Sequence, residues 1–145
     1  MAGDVKIGRA VVGVDPSEGA RSALRWATYL VGGSSRGRPD QGAGEVVLVH
    51  ARGLLERASG STQDLPAWLE ALIDSVDPEI SLTLRVVDGP APEALLLAAQ
   101  ETDADVIVVG KRGWGSPFEL TLGSTSREVT SRAAVAVLVV PLPLV

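Results

Sequence analysis

The sequence contains no cysteine, which excludes disulfides, thiolate catalysis and zinc sites built on cysteine. Its one histidine, His50, excludes multi-histidine metal sites and leaves any serine–histidine–aspartate triad dependent on that residue. Aromatic residues make up only 3% and the net charge is −5, which argues against base stacking and a nucleic-acid surface. No apolar run approaches the roughly 18 residues of a membrane span, and no signal-peptide pattern opens the chain. We therefore expect a cytoplasmic protein with neither nucleic acid nor membrane as a partner.

The hydrophobic pattern predicts five strands within one domain spanning residues 1–145. Hydrophobic residues make up 46% and charged residues 21%, an ordinary balance for a globular chain of this length. The predicted strands, all rich in β-branched residues, are 9–14, 45–50, 82–87, 105–110 and 135–140. Four of them are nearly continuous in Val, Ile, Leu and Ala, which is typical of strands buried on both faces of a parallel sheet. The run 82–87 alternates with polar residues and is predicted to be an edge strand.

Amphipathic patterns between these runs predict helices over 17–31, 65–76, 92–102 and 124–134. Asp15 and Thr125 each occupy a capping position, with a glutamate three residues later. Trp26 and Trp68 have apolar neighbours at helical spacing, so we expect both in the core. The strand–helix alternation predicts an α/β fold, a doubly wound parallel sheet with helices on both faces.

The segment 108–129, VVGKRGWGSPFELTLGSTSREV, places glycines and hydroxyls between a buried strand and a helix. Ligands of open α/β sheets bind at the carboxyl ends of the strands. Glycine permits close backbone approach, and a helix N-terminus presents unpaired N–H groups that attract anions. The hydroxyls of Ser124, Thr125 and Ser126 can bind phosphate oxygens or hydrated Mg²⁺. The pattern favours a phosphate cradle, although tight turns alone account equally well for the glycines.

Other well-known sites do not fit the sequence. No strand is followed by G-x-x-x-x-G-K-[ST], and the first strand reads VVGVDPSEG, without the G-x-G-x-x-G of dinucleotide-binding proteins. A receiver-type site needs a lysine after the fifth strand, which ends instead in VVPLPLV. No G-x-S-x-G motif accompanies His50, which is therefore better interpreted as a packed residue than as a general base.

The spacing G-x-x-G-x₉-G-[ST], filled by Gly110, Gly113, Gly123 and Ser124, resembles the ATP-binding motif of the universal stress protein family. The segments VVGVDPSEGARSALRWA, VVLVHAR, GPAPEALLLAAQETDADVIVVGKRG and AVAVLVVP are similar to further parts of that family. The resemblance covers nearly the whole chain apart from 32–45 and 53–64. It implies an adenine nucleotide alpha hydrolase-like fold with strand order 3-2-1-4-5. It also implies an ATP-binding regulatory protein of the stress response that binds ATP with Mg²⁺. No set of residues offers a convincing base and an activated water, so we expect no catalytic residue and no dedicated metal ligand.

The resemblance also implies contacts between individual residues and the nucleotide. Val14 and Asp15 would lie against the nucleoside, and Val49 would lie beside the adenine. Val109 and Gly110 would lie at the ribose and base, and Arg112 and Gly113 would contact the phosphates. The phosphate cradle would be completed by Gly123, Ser124, Thr125 and Ser126. Trp114 and Glu119 depart from the basic or small residues expected in the loop. A carboxylate at Glu119 would repel a triphosphate unless it turned away.

Two further expectations concern assembly and activity. The apolar segment 135–141 would form a sheet edge that a second copy could cover, and the resemblance likewise implies a homodimer. The alternatives are a slow ATP hydrolase or autokinase, with Ser124 or Ser126 accepting the phosphate, and a nucleotide-free dimeric scaffold. In the scaffold, the protein's own loop side chains would fill the cradle.

Overall fold

The computed structural model describes residues 6–35, 44–53, 65–111 and 122–141. Strands and helices alternate along these segments. Their order is β1 (Arg9–Gly13), α1 (Glu18–Ser35), β2 (Glu45–Arg52), α2 (Ala67–Asp74), β3 (Ser81–Asp88), α3 (Ala91–Glu101), β4 (Val106–Gly110), α4 (Ser124–Arg132) and β5 (Ala136–Val140). Each predicted strand and helix is present, and only the ends differ from the sequence-based bounds.

The five strands form one parallel sheet in the order β3-β2-β1-β4-β5. This confirms the predicted α/β architecture and strand order. The chain adds strands on one side of β1 and then returns to add β4 and β5 on the other side. The order of the strands therefore reverses between β1 and β4, where an open sheet leaves a crevice at its carboxyl edge.

Helices cover both faces of the sheet, as predicted. On one face, buried residues of α1 and α2 pack against Val12, Leu48 and Val108. On the other face, α3 and α4 pack against Val11 and Ile107. The central strands are buried on both sides because successive side chains of a strand point to opposite faces. Because helices cover both faces, a ligand can approach the backbone of the central strands at an end of the sheet and not through a face.

The expectation that Trp26 lies in the core is wrong, since its side chain is 48% exposed. The buried stripe of α1 includes Ala23, Leu24 and Ala27. Trp26 immediately precedes Ala27 and so projects about 100° away from it around the helix. Trp68 packs against the core as expected, and its ring meets that of His50 edge to face with centroids 4.9 Å apart.

A charged cluster holds the amino edge of the sheet, at the opposite end from the crevice. The Arg9 Nε–H donates to Glu45 Oε2 at 2.8 Å, and the Thr83 hydroxyl donates to Glu45 Oε1 at 2.9 Å. Burial raises the pKa of Glu45, but the hydrogen bonds from Arg9 and Thr83 and the Arg9 charge outweigh burial. The net effect is a pKa below the usual 4.5.

We expect Glu45→Gln to make folding less sensitive to acid. Because the folded-state pKa of Glu45 is lowered, its carboxylate stabilises the fold above the unfolded-state value near 4.5, and this stabilisation is lost as the pH falls through the folded-state pKa. Urea unfolding at neutral pH and about one unit below the usual glutamate pKa measures the effect. The unfolding free energy should differ less between the two pH values in the variant than in the unaltered protein. An equal difference in both proteins would contradict this assignment.

Candidate functional site

The carboxyl ends of β1, β2 and β4 bring three of the predicted contact residues to the crevice. Val14 follows β1, and its backbone N–H donates to the Val49 carbonyl of β2 at 2.9 Å. Val14, Val49 and Val109 are all buried, with exposures of 5%, 2% and 3%. Their side chains therefore belong to the core, and only their backbone atoms and the adjoining loops can meet a ligand.

The turn after β1 is held by Asp15 and Ser17. The Ser17 N–H donates to Asp15 Oδ1 at 2.8 Å, and the Ala20 N–H donates to Ser17 Oγ at 3.1 Å. Ser17 is therefore the residue that caps α1, and the expectation that Asp15 occupies the cap is wrong by two positions. Asp15 instead orders the turn before the helix, because its carboxylate accepts from the backbone two residues ahead.

Helix α4 begins without a side-chain cap. Its N-cap is Gly123, with extended backbone angles, and no side chain accepts a capping hydrogen bond from the N–H groups of the first turn. Thr125 lies inside the helix, so the expectation that it caps α4 is wrong. Within the described residues, no acceptor bonds the backbone N–H groups of Ser124, Thr125 or Ser126. These N–H groups, together with the positive end of the helix dipole, form an anion-binding arrangement.

Hydrogen bonds fix the start of α4 to the end of β4. The Gly123 N–H donates to the Lys111 carbonyl at 2.8 Å, and the Lys111 N–H donates to the Val140 carbonyl of β5 at 2.7 Å. The Ser126 Oγ lies 3.1 Å from the Lys111 carbonyl and 3.0 Å from the Gly123 carbonyl. Ser126 is 2% exposed, so its hydroxyl closes this junction, and only its backbone N–H is left for a ligand.

Gly110 has a packing role at this junction. A Cβ built on Gly110 would lie 3.0 Å from the backbone carbon and oxygen of Gly19 in α1. This distance is shorter than backbone atoms accommodate without movement. The absence of a side chain at Gly110 therefore lets β4 and the first turn of α1 meet, which brings the two sides of the crevice together.

His50 is a buried residue that supports the crevice wall. It is 3% exposed, and its Nδ1 lies 3.3 Å from the Val14 carbonyl. With the proton on Nδ1 this contact is a hydrogen bond that joins β2 to the loop after β1. The Trp68 ring packs against the imidazole from the side of α2. This arrangement supports a packed histidine, although no sequence signal indicated its contact with Val14.

The predicted residues fall into two groups. The structure brings together the backbone of Val14, Asp15, Val49, Val109, Gly110, Gly123, Ser124, Thr125 and Ser126 around the carboxyl edge of the sheet. Arg112, Gly113, Trp114 and Glu119 lie outside the described residues. Ser17 was not among the predicted residues, because Asp15 and Ser17 both have side chains that can cap a helix and the sequence does not separate them. No group of three or more histidine, aspartate or glutamate residues able to hold a metal occurs in the described part of the chain.

These elements define a doubly wound α/β protein with a glycine-capped helix at the switch point of its sheet. A model of the universal stress protein family matches residues 6–141. The chain therefore belongs to the universal stress protein family. None of its described helices combines the length and apolar character of a membrane span. No curated protein gives a significant match.

Solved structures support the same fold. The hypothetical protein MJ0577 is 22% identical, with 97% of this chain and 100% of that chain covered and a TM-score of 0.78. A universal stress protein in complex with cAMP is 23% identical, with 96% and 100% covered and a TM-score of 0.71. A universal stress protein from Archaeoglobus fulgidus DSM 4304 is 27% identical, with 93% of this chain but 44% of that longer chain covered and a TM-score of 0.63.

The contact between Gly110 and Gly19 predicts a destabilised Gly110→Ala variant. The added methyl group would press against backbone atoms, a type of overpacking that costs about 1–3 kcal/mol. Gly32→Ala in α1 is the matched control, because a Cβ there meets nothing within 4 Å. The control should gain about 0.4–1 kcal/mol from reduced unfolded-state entropy. Denaturant unfolding measures both, and equal stability of the two variants would refute the close contact.

Proposed function

We propose that this protein is an ATP-binding regulatory module of the stress response, working in the cytoplasm as a single domain over residues 1–145. The observation that carries the proposal is the N-terminus of α4. Gly123 supplies no side-chain cap, and within the described residues the next three N–H groups have no acceptor. They lie at the carboxyl edge of the sheet, where nucleotides bind to doubly wound folds.

The triphosphate would lie against Ser124, Thr125 and the N–H of Ser126. Ser124 is exposed and Thr125 half-buried, so both hydroxyls remain available to phosphate oxygens or to the water shell of Mg²⁺. Bound Mg²⁺ would neutralise part of the phosphate charge. Arg112 and Gly113 complete the proposed phosphate contacts by family resemblance.

The ribose would lie between the ends of β1 and β4, with the base toward β2. Asp15, ordered against the Ser17 N–H, lies beside the proposed ribose position, and Val109 and Gly110 form the opposite wall. The Val49 carbonyl already accepts the Val14 N–H, but a carbonyl oxygen has two lone pairs and can accept a second hydrogen bond from an adenine amino group. This arrangement favours an adenine base at the β1–β2 edge of the crevice.

The geometry favours holding the nucleotide over hydrolysing it. His50 is buried against Trp68 and the Val14 carbonyl, and the Ser126 hydroxyl is engaged with backbone carbonyls. Neither is positioned as an exposed base or phosphate acceptor. The cAMP complex of one structural relative supports nucleotide binding on this fold, and we extend it here to ATP as a proposal.

We expect Ser124→Glu to abolish nucleotide binding without weakening the ligand-free fold. An acidic residue in the first turn of α4 is favourable toward the helix dipole, but it would occupy and repel the phosphate position. For the unaltered protein, MgATP at a hundred times its dissociation constant should stabilise folding by about 2.7 kcal/mol. Thermal unfolding with and without MgATP, and calorimetric titration, measure both effects.

Ser131→Glu is the charge-matched control, because it adds the same charge about 10 Å further along the same helix. It should keep the ATP-dependent stabilisation that Ser124→Glu loses. Equal loss in both variants would indicate a general charge effect. An unaltered protein whose unfolding does not respond to MgATP would refute the proposed function.

We also propose that two copies associate through segment 135–141. Strand β5 forms the outer edge of the sheet and pairs with β4 on one side only within the described residues. Its residues Val137, Leu138 and Val139 are only half-buried, which leaves apolar surface beside unpaired backbone groups. A second copy related by a twofold axis would cover this edge.

We expect Ala136→Glu to convert the dimer into a monomer. Ala136 is exposed in the single chain, so the change should leave folding intact, but in the dimer it would press a carboxylate against the apolar edge of the second copy. Leu97→Glu is the control, because Leu97 is 53% exposed on α3, away from β5. Sedimentation velocity should show a dimer for the unaltered protein and the control. A monomer for the unaltered protein would refute the proposed dimer.

A further inference from the structure

A groove of about 390 Å³ lies between α1 and α2, on the face of the sheet that these two helices cover. Its walls combine Ala71 and Leu72 of α2 with polar side chains of α1. Small-molecule sites commonly have volumes of roughly 300–1,000 Å³, with apolar walls and a few polar groups. None of the residues that line this groove belongs to the proposed nucleotide site.

Ser22 is an unusual buried residue in the wall of this groove. It is 5% exposed, and among the described residues the other buried polar side chains, His50 and Ser126, both have hydrogen-bond partners. The Ser22 hydroxyl makes no hydrogen bond with any residue that the structure describes. A buried polar group without a partner is costly, and a ligand in the groove could supply the hydrogen bond that the described residues do not.

The charges around Ser22 favour an anionic partner. Arg21 and Arg25 line the groove, and Arg25 makes no ion pair within the described residues. Glu18 also lines it, but its carboxylate lies 4.0 Å from Arg21, and both side chains are well exposed, at 70% and 61%. Such an exposed pair is weak. The described lining residues therefore retain a net positive charge on a chain whose overall charge is −5.

Ser75 supplies a second hydroxyl from the opposite wall of the groove. Its Oγ–H donates to the Leu72 carbonyl at 2.6 Å, which leaves its oxygen lone pairs for an acceptor role toward a ligand O–H or N–H. The groove thus offers cationic donors and the Ser22 hydroxyl on α1, and apolar contacts with one acceptor on α2.

We propose that the α1–α2 groove is a second ligand site, distinct from the nucleotide site, that binds a small organic molecule bearing one carboxylate or phosphate group. The anionic group is held by Arg25 and the Ser22 hydroxyl, with Arg21 at longer range. The apolar body of the ligand packs against Ala71 and Leu72. The two arginines can each donate paired hydrogen bonds to such an oxyanion.

The probes are benzoate and phenyl phosphate, with benzyl alcohol as the neutral analogue and inorganic phosphate as the bare anion, all in Tris buffer. Amide chemical shifts in ¹⁵N-labelled protein report where each probe binds. We expect saturable shifts at Ser22, Arg25, Leu72 and Ser75 with the two aromatic anions, and much smaller shifts with benzyl alcohol. The response to inorganic phosphate separates the contribution of the anionic group from that of the apolar body. Stronger binding of one aromatic anion identifies whether carboxylate or phosphate is preferred.

Three substitutions test the assigned roles. Arg25→Gln should weaken binding roughly tenfold, because it removes a charged hydrogen-bond donor. Glu18→Gln should strengthen binding, because it removes the opposing charge. Ser22→Ala should weaken binding while leaving the melting temperature of the ligand-free protein equal or higher, because the lost hydroxyl has no hydrogen-bond partner among the described residues.

The outcomes are separable from those of the nucleotide site. Shifts confined to Gly123, Ser124 and Thr125 would show that the probes bind only at α4 and would overturn the proposal. Absence of any saturable shift at millimolar probe would also overturn it, as would a Ser22→Ala variant that loses stability but keeps binding. The amide shifts of α1 and α2 are measured without ATP, so they are independent of whether MgATP stabilises the protein.

Discussion

The hydrogen-bonded junction between β4 and α4 is the constraint on which the candidate site depends. The Lys111 carbonyl accepts from the Gly123 N–H and lies within reach of the Ser126 hydroxyl, so α4 must start directly beside the end of β4. A glycine at the cap then leaves the first N–H groups of the helix without a partner among the described residues. Anion affinity is a consequence of this geometry, because an unpartnered helix N-terminus favours negative charge.

Other contacts hold the opposite wall of the crevice, formed by the turn after β1 and the start of α1, close to the β4–α4 junction. The Gly110–Gly19 approach sets the distance between β4 and α1, and Ser17 and Asp15 order the turn that leads into α1. His50, on the neighbouring strand β2, contacts the Val14 carbonyl and so holds the backbone that follows β1. Few of these residues need to touch a ligand. Their role is to hold backbone groups, which agrees with the burial of Val14 and Val49.

The fold was predictable because its signals are local and repeated, whereas the details of the site depend on tertiary contacts. Continuous apolar runs, separated by amphipathic segments, indicated five parallel strands and their covering helices. The caps were misplaced because Asp15 and Ser17 both have capping side chains, and only the observed start of α1 separates them. Trp26 was misassigned because its apolar neighbours lie on a different line of the helix. Neither the packing role of Gly110 nor the burial of the Ser22 hydroxyl away from any described partner could be predicted, since both depend on residues brought near by folding.

The most direct test is amide hydrogen exchange at the start of α4, followed by NMR with and without MgATP. Arg127 is an internal control, because its N–H already donates to the Gly123 carbonyl at 3.0 Å. We expect the N–H groups of Ser124, Thr125 and Ser126 to exchange rapidly alone and to become strongly protected when MgATP is added, with a smaller change at Arg127. Unchanged exchange at all three positions in saturating MgATP would contradict the account, because the helix terminus would then hold no anion.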